Sequence, residues 1–235
     1  MDQEFIRSIS EAADIQSSGR WGAMNQKLRQ LADNHNGHAV WQIQVIAALC
    51  NKNFSEYFAL KKAYEDQPES EPSLLAWRAR NLLEVSVWSC FCAIGKDNAR
   101  VFYEDAGRDV FDIYKVFTKW GKITSQGQNW IDPIEKAKHE ISRRAKTEGI
   151  KSLDGTFKRV SSAAEECGLG PLFALGYKEL SKFSHPTAML IMGDADPEKE
   201  KLQRDMFYSN GCMFFVGAFT ALEGLLSNLV DNPAQ

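Results

Sequence analysis

Along most of the chain, apolar residues recur every three or four positions, and no alternating β-branched run is bounded by an Asn-Gly or Asp-Gly hairpin. This pattern predicts helices over Gln3 to Ile15, Trp21 to Asp33, His38 to Cys50 and Ser55 to Glu65, separated by polar or Asn/Gly-containing joints. Paired in order, they make two helical hairpins. A long apolar helix is expected over Ser73 to Ile94. Over Arg100 to Lys122, the residues Phe102, Ala106, Val110, Ile113, Phe117 and Trp120 form one stripe, the mark of an amphipathic helix turned towards a core. Asp132-Pro133-Ile134-Glu135 joins a capping acid, a first-turn proline and a glutamate that reaches back to the cap, so a helix starts there and runs to Lys146. A shorter helix over Thr156 to Glu166 ends at Cys167-Gly168-Leu169-Gly170-Pro171, and another begins immediately afterwards. Asp196-Pro197-Glu198 opens the last long helix, which passes into the apolar run Gly211 to Val230.

The fold class that follows is all-α, a helical bundle with an N-terminal helical extension. The polar stretch from Glu65 to Pro72 carries Pro68 and Pro72 and sets the expected boundary, with an N-terminal helical region over 1–68 and the main helical bundle over 73–230.

Composition alters this picture little. A net charge of -3 carries no whole-chain signature for nucleic acid or anionic membrane, so any polyanion site is a local patch. Five cysteines in mostly apolar helical surroundings read as reduced core thiols. With no secretory pattern at Met1-Asp2-Gln3-Glu4-Phe5, the cytoplasm is the expected compartment. Gly211 to Val230 is long enough to span a bilayer. Glu223 lies inside it with Thr220 and Ser227 at helical spacing, however, and no basic flank follows, so a core helix is expected and a membrane partner is not.

Candidate chemistry gathers on two helices. Tyr177, Ser181 and His185 recur every fourth residue and stand on one face, with Lys178 beside them. His185 is the acid/base candidate, because an imidazole titrates near neutrality, and Pro186 disfavours regular helix at His185, so the ring projects from a helix end. Tyr177 and Ser181 position a substrate or the imidazole, and Lys178 or Lys182 holds phosphate. The other helix carries Arg78, Arg80, Asn81 and Glu84 among Trp77, Leu82, Leu83 and Trp88. Charges in such surroundings need partners. Arg80 and Glu84 form an intrahelical pair, or one arginine, Arg78 or Arg80, crosses the core to neutralise an anion near His185 while Glu84 fixes its orientation. The bland alternative is a buried polar network between helices.

The helix with Arg80 and Glu84, followed in the chain by Tyr177-x-x-x-Ser181-x-x-x-His185-Pro186, resembles uncharacterised all-helical proteins of the wider HEPN-like group over roughly the region after Pro72. The resemblance implies a helical bundle, dimerisation and, in active members, metal-independent RNA cleavage at a composite site. There a histidine handles protons around the ribose 2′-hydroxyl and an arginine stabilises phosphate. Active members of that group carry an arginine separated from the histidine by four to six residues, and this chain has none there. Lys178 has the spacing but lacks the bidentate fork of arginine.

Other motifs are weaker. Cys90-x-Cys92 points its sulfurs to different sides, His35 and His38 flank a turn, and Asp196 of Asp194-x-Asp196 is better explained as a helix cap, so no metal site is expected. No nucleotide-binding loop, dinucleotide fingerprint or nucleophile elbow occurs, and no cofactor is expected. The locally basic stretch Lys136, Lys138, Arg143, Arg144, Lys146, Lys151, Lys158 and Arg159 is interspersed with acids and reads as a solvated helix face. The leading expectation is therefore a homodimeric module binding RNA, a nucleotide or a protein partner. A metal-independent ribonuclease using His185 and a purely structural scaffold are the alternatives.

Overall fold

The computed structural model describes residues 3–66, 71–124, 127–150, 152–185, 187, 191–193 and 196–232. The described elements are helical and no strand occurs among them, so the fold is all-α. In chain order they are α1 (Gln3–Asp14), a π-helical turn (Ile15–Arg20), α2 (Trp21–Asn34), a short 3-10 turn (His35–Gly37), α3 (Val40–Glu65), α4 (Pro72–Ile94), α5 (Lys96–Ile123), α6 (Gln128–Thr147), α7 (Val160–Glu166), α8 (Gly170–Ser184) and α9 (Pro197–Asp231). Two compact units arise: Met1–Asn98 with Val160–Gln235, and Ala99–Arg159. Helices on both sides of the Pro68 segment belong to the first; Pro68 itself lies outside the described residues.

In the first unit, α4 is apolar around much of its circumference and packs against α9, α8, α3 and α7. Leu75, Leu82, Leu83, Val87 and Phe91 are buried along it. Opposite, α9 contributes Phe207, Phe214, Phe215, Phe219, Leu222 and Leu226 to the same core. Aromatic rings bind α3 to α9: Tyr57 stacks on Phe215 at 4.2 Å and Tyr64 on Tyr208 at 3.9 Å. Gly211 sets the closeness of that approach, since a Cβ there would stand 2.2 Å from Leu60 Cδ2. Alanine gains roughly 1 kcal/mol over glycine within a helix, yet overpacking costs roughly 1–3. Gly211→Ala is expected to lower stability by about 1 kcal/mol in urea unfolding, and Leu60→Val in the same chain to cancel the loss.

Two expectations are corrected here. The stretch between Cys50 and Ser55 does not break the chain into two helices; α3 is continuous, and the Asn53 side chain is buried, donating to the Phe215 carbonyl at 3.3 Å. The asparagines that read as a joint therefore include one packing contact. Likewise α1 passes into α2 through the π-helical turn without leaving helical backbone angles, so this region forms one bent rod and a return helix, not two hairpins. The reversal comes at His35, Asn36 and Gly37, all at positive φ, and the turn seats on the end of α9: His38 Nε2 meets the Leu229 carbonyl at 3.0 Å, and the Asn36 amide donates to that of Val230 at 3.3 Å.

Among the described residues α9 is the one helix long and apolar enough to cross a membrane. Thr220, Glu223 and Ser227 in its apolar run have partners on the bent rod. Gln16 donates to Thr220, Arg20 pairs with Glu223, and Lys27 donates to Ser227 at 2.7 Å. All five cysteines are free; Cys50, Cys92 and Cys212 are buried, and burial pushes each thiol up to about 12.

In the second unit, α5 and α6 are tied by Thr118, which donates to Glu135, and by Gly121, which leaves room for the Trp130 ring. Arg100 reaches the Glu148 carbonyl, and Arg108 that of Ser152. Helix α6 starts at Gln128, one turn before the expected Asp132, because Asp132 accepts from Gln128 while Glu135 accepts from Thr118 and Lys138 in place of closing a cap. Helix α7 starts at Val160 and not Thr156, the Lys158 amide being held by Asp105. The stripe on α5 does not face a core: Ala106, Val110, Ile113, Phe117 and Trp120 are exposed. Three residues of the basic stretch are paired along α6, Lys138 with Glu135, and Arg143 and Arg144 with Glu140, whose carboxyl these two arginines hold at about 2. Lys151 lies outside the described residues.

Candidate functional site

The two polar helices meet. Gly176 makes this possible, because its missing side chain lets α8 close on α4 and α9: a Cβ would lie 3.3 Å from Leu83 Cδ2 and 3.6 Å from Phe214. Leu180 and Phe173 are buried beside it, which turns Tyr177 and His185 towards the polar edge of α4. There Arg80 extends across. Its Nη2 donates to the Tyr177 hydroxyl at 2.7 Å and its Nη1 to His185 Nε2, also at 2.7 Å. Its Cζ stands 4.5 Å from the centre of the Tyr177 ring. Glu84, one turn along α4, approaches Arg80 Nε at 3.3 Å, close enough for an ion pair without the alignment of a hydrogen bond. With 18% of its side chain accessible, Arg80 is fixed on three sides.

A guanidinium only donates, so His185 Nε2 accepts, and the neutral ring carries its proton on Nδ1. The expected departure from helix before Pro186 holds at His185, which adopts extended angles (φ −123, ψ 150) and is exposed at the end of α8. Pro186 lies outside the described residues. Ser181 is half-buried on the same face, and its hydroxyl has no partner among the described residues. The same holds for Ser184, which sequence reasoning passed over although Tyr177, Ser181 and Ser184 follow a four-then-three spacing on one helix face. Lys178 and Lys182 are exposed on α8.

Arg78 is not brought to this group. It donates to Glu56 on α3 at 2.9 Å and lies over the Trp77 ring, while Lys52 and Asn81 also bind Glu56. Glu56 was the unread partner. Its sequence signal is an acid set between Phe54 and Tyr57 in a core helix. Asp196 caps α9, accepting from the Glu198 and Lys199 amides, while Asp194 lies outside the described residues. No group of three or more metal-ligating side chains occurs among the described residues.

Chemically, the site is rich in donors. Each Arg80 terminal nitrogen keeps a further N–H, Tyr177 keeps its phenolic proton while accepting from Arg80, and His185 presents Nδ1–H. Such a constellation suits an anion, with Glu84 holding the arginine in place.

Residues 75–201, more than half of the chain, match the model described as "Family of unknown function (DUF5677)". Both halves of the Arg80–His185 site lie inside the matched span. No curated protein and no solved structure matches the chain.

Proposed function

The chain belongs to DUF5677, a family of unknown function, and from that premise we propose that it is a HEPN-like module binding the phosphate groups of RNA or a nucleotide at the Arg80–Tyr177–His185 site. The observation that carries this reading is the double hydrogen bond of Arg80 to His185 and Tyr177. The arginine absent from the α8 motif has a counterpart delivered from α4, and it is pre-organised for a tetrahedral anion. Lys178 and Lys182 extend the positive surface along α8 and supply contacts to neighbouring phosphates.

Binding fits better than turnover. The lone pair a catalytic base would use, on His185 Nε2, is engaged by Arg80. The ribonuclease reading keeps one argument, the Arg–His juxtaposition itself, and requires the imidazole to leave Arg80 when substrate arrives.

The test uses fluorescein-labelled single-stranded RNA of mixed sequence, in chelator, over a salt series. Binding is expected to weaken linearly on a double-logarithmic plot. The double variant Lys178→Ala/Lys182→Ala is expected to reduce that slope by about one to two, since each single-strand phosphate contact contributes roughly 0.7. An absence of retention at low salt, or a slope untouched by the lysines, sinks the proposal. Cleavage of the label that disappears with His185→Ala moves the assignment to the ribonuclease.

A further inference from the structure

Trp77 makes none of the hydrogen bonds that join Arg80, Tyr177 and His185, yet it is 42% exposed on α4, three residues before Arg80. On a helix that spacing sets two side chains about 4.5 Å apart along the axis and about 60° apart around it. The ring and the guanidinium are therefore neighbours on one side of α4. Arg80 leans from there towards α8, where Tyr177 and His185 receive it, and Trp77 stands in solvent on the preceding turn.

The exposed ring is backed. Arg78 lies over it with Cζ 4.4 Å from the ring centre, and Arg78 is itself held by Glu56 at 2.9 Å. Glu56 is buried and is bound by Lys52 and Asn81 as well, so the cation against the Trp77 ring is anchored to the core. Other exposed aromatic rings of this unit are placed differently: Phe5 and Phe58 lie on α1 and α3, which contribute nothing to the Arg80 group. An aromatic ring set on a fixed cation and open to solvent is a surface on which any nucleobase stacks, because every base has a π-face.

We propose, building on the phosphate-binding reading of this site, that Trp77 is the stacking platform for the base of the nucleotide whose phosphate sits at Arg80. Phosphate and base lie at opposite ends of one ribose, and the offset of one helical turn between Arg80 and Trp77 serves both ends of that unit. The ligand class is then an unpaired nucleotide, since a base inside a duplex has both faces covered by its neighbours. Arg80 supplies the charge contact and Trp77 distinguishes a nucleotide from phosphate alone.

Fluorescence anisotropy of the full chain with two fluorescein-labelled strands separates these contributions: oligoadenylate, and a stable abasic strand of the same length and the same number of phosphates. The wild type is expected to bind oligoadenylate roughly tenfold or more tightly than the abasic strand. Trp77→Ala is expected to erase that preference and to leave the abasic strand bound as in the wild type, while Trp77→Phe keeps most of it; circular dichroism verifies folding. Arg80→Ala is expected to weaken both strands. AMP that displaces the strand at a comparable concentration of nucleotide assigns the site to a free nucleotide, and displacement by unlabelled oligoadenylate alone assigns it to single-stranded RNA. Equal affinity of the wild type for the two strands overturns the platform and leaves the phosphate site standing. A preference that survives Trp77→Ala overturns it too, as does an equal loss on both strands. A wild type that retains neither strand at low salt overturns the phosphate-binding reading and the platform with it.

Discussion

Replacing Arg80 by alanine is expected to reduce RNA binding by roughly ten- to a hundredfold, because hydrogen bonds to charged groups contribute about 1.5–3 kcal/mol each and tenfold corresponds to about 1.4. The substitution removes the guanidinium that reaches from α4 to both Tyr177 and His185 at the end of α8. Arg80→Lys restores the positive charge but not the fork that reaches both partners, so it is expected to recover only a minor part of the affinity. Fluorescence anisotropy with labelled RNA measures both variants, and thermal unfolding separates loss of binding from loss of fold. Wild-type affinity in a folded Arg80→Ala protein removes the site from consideration.

Glu56→Ala is expected to lower unfolding stability by about 3 kcal/mol, a large share of the roughly 5–15 typical of a domain. The carboxylate is 4% exposed and accepts from Lys52 at 2.5 Å, Arg78 at 2.9 Å and Asn81. Its removal leaves Arg78 without that counter-charge beside the core; Lys52, half exposed, loses less. Burial on its own would raise the Glu56 carboxyl, but the hydrogen bonds from Lys52, Arg78 and Asn81 outweigh it and hold the group below its ordinary value of 4.5. A group depressed in the folded state stabilises the fold above its unfolded value and loses that contribution as pH falls through the folded one. The stability difference between wild type and Glu56→Gln should therefore be fully present near neutrality and shrink as the pH is lowered below about 4.5. Urea denaturation of both proteins across that range measures it. A difference independent of pH would show that the amide replaces the carboxylate without electrostatic loss.

Local pattern carried the helices and the α8 motif further than it carried the contacts. The every-fourth-residue spacing of Tyr177, Ser181 and His185 was legible because helix geometry fixes which residues share a face. The arrival of Arg80 was not, since 96 residues of intervening chain separate it from Tyr177, and nothing in either segment specifies the other. Arg78 and Arg80 look alike in sequence; only the position of Glu56 on α3 distinguishes a core ion pair from a member of the site. Asn53 suggested a joint because asparagine competes with backbone bonding, and tertiary packing overrode that preference. On α5 the periodicity correctly located an apolar face but could not say whether the surface meeting it lies in the same chain, so a stripe that reads as core is exposed.

The pairing of α4 with α9 also bears on how the chain is made. Leu82 and Gly211 share the Leu60 side of the core, yet more than a hundred residues, including the whole α5–α6 hairpin, are synthesised between them. During translation α4 emerges long before its principal neighbour, and although α3 is already made, the side of α4 that meets α9 waits uncovered through that interval. Contacts of such long sequence separation form slowly and leave nascent chains open to aggregation. Folding is therefore expected to depend on when α9 leaves the ribosome, and synthesis on ribosomes stalled before and after α9 is expected to show this as a gain in protease resistance of α4 once α9 has emerged.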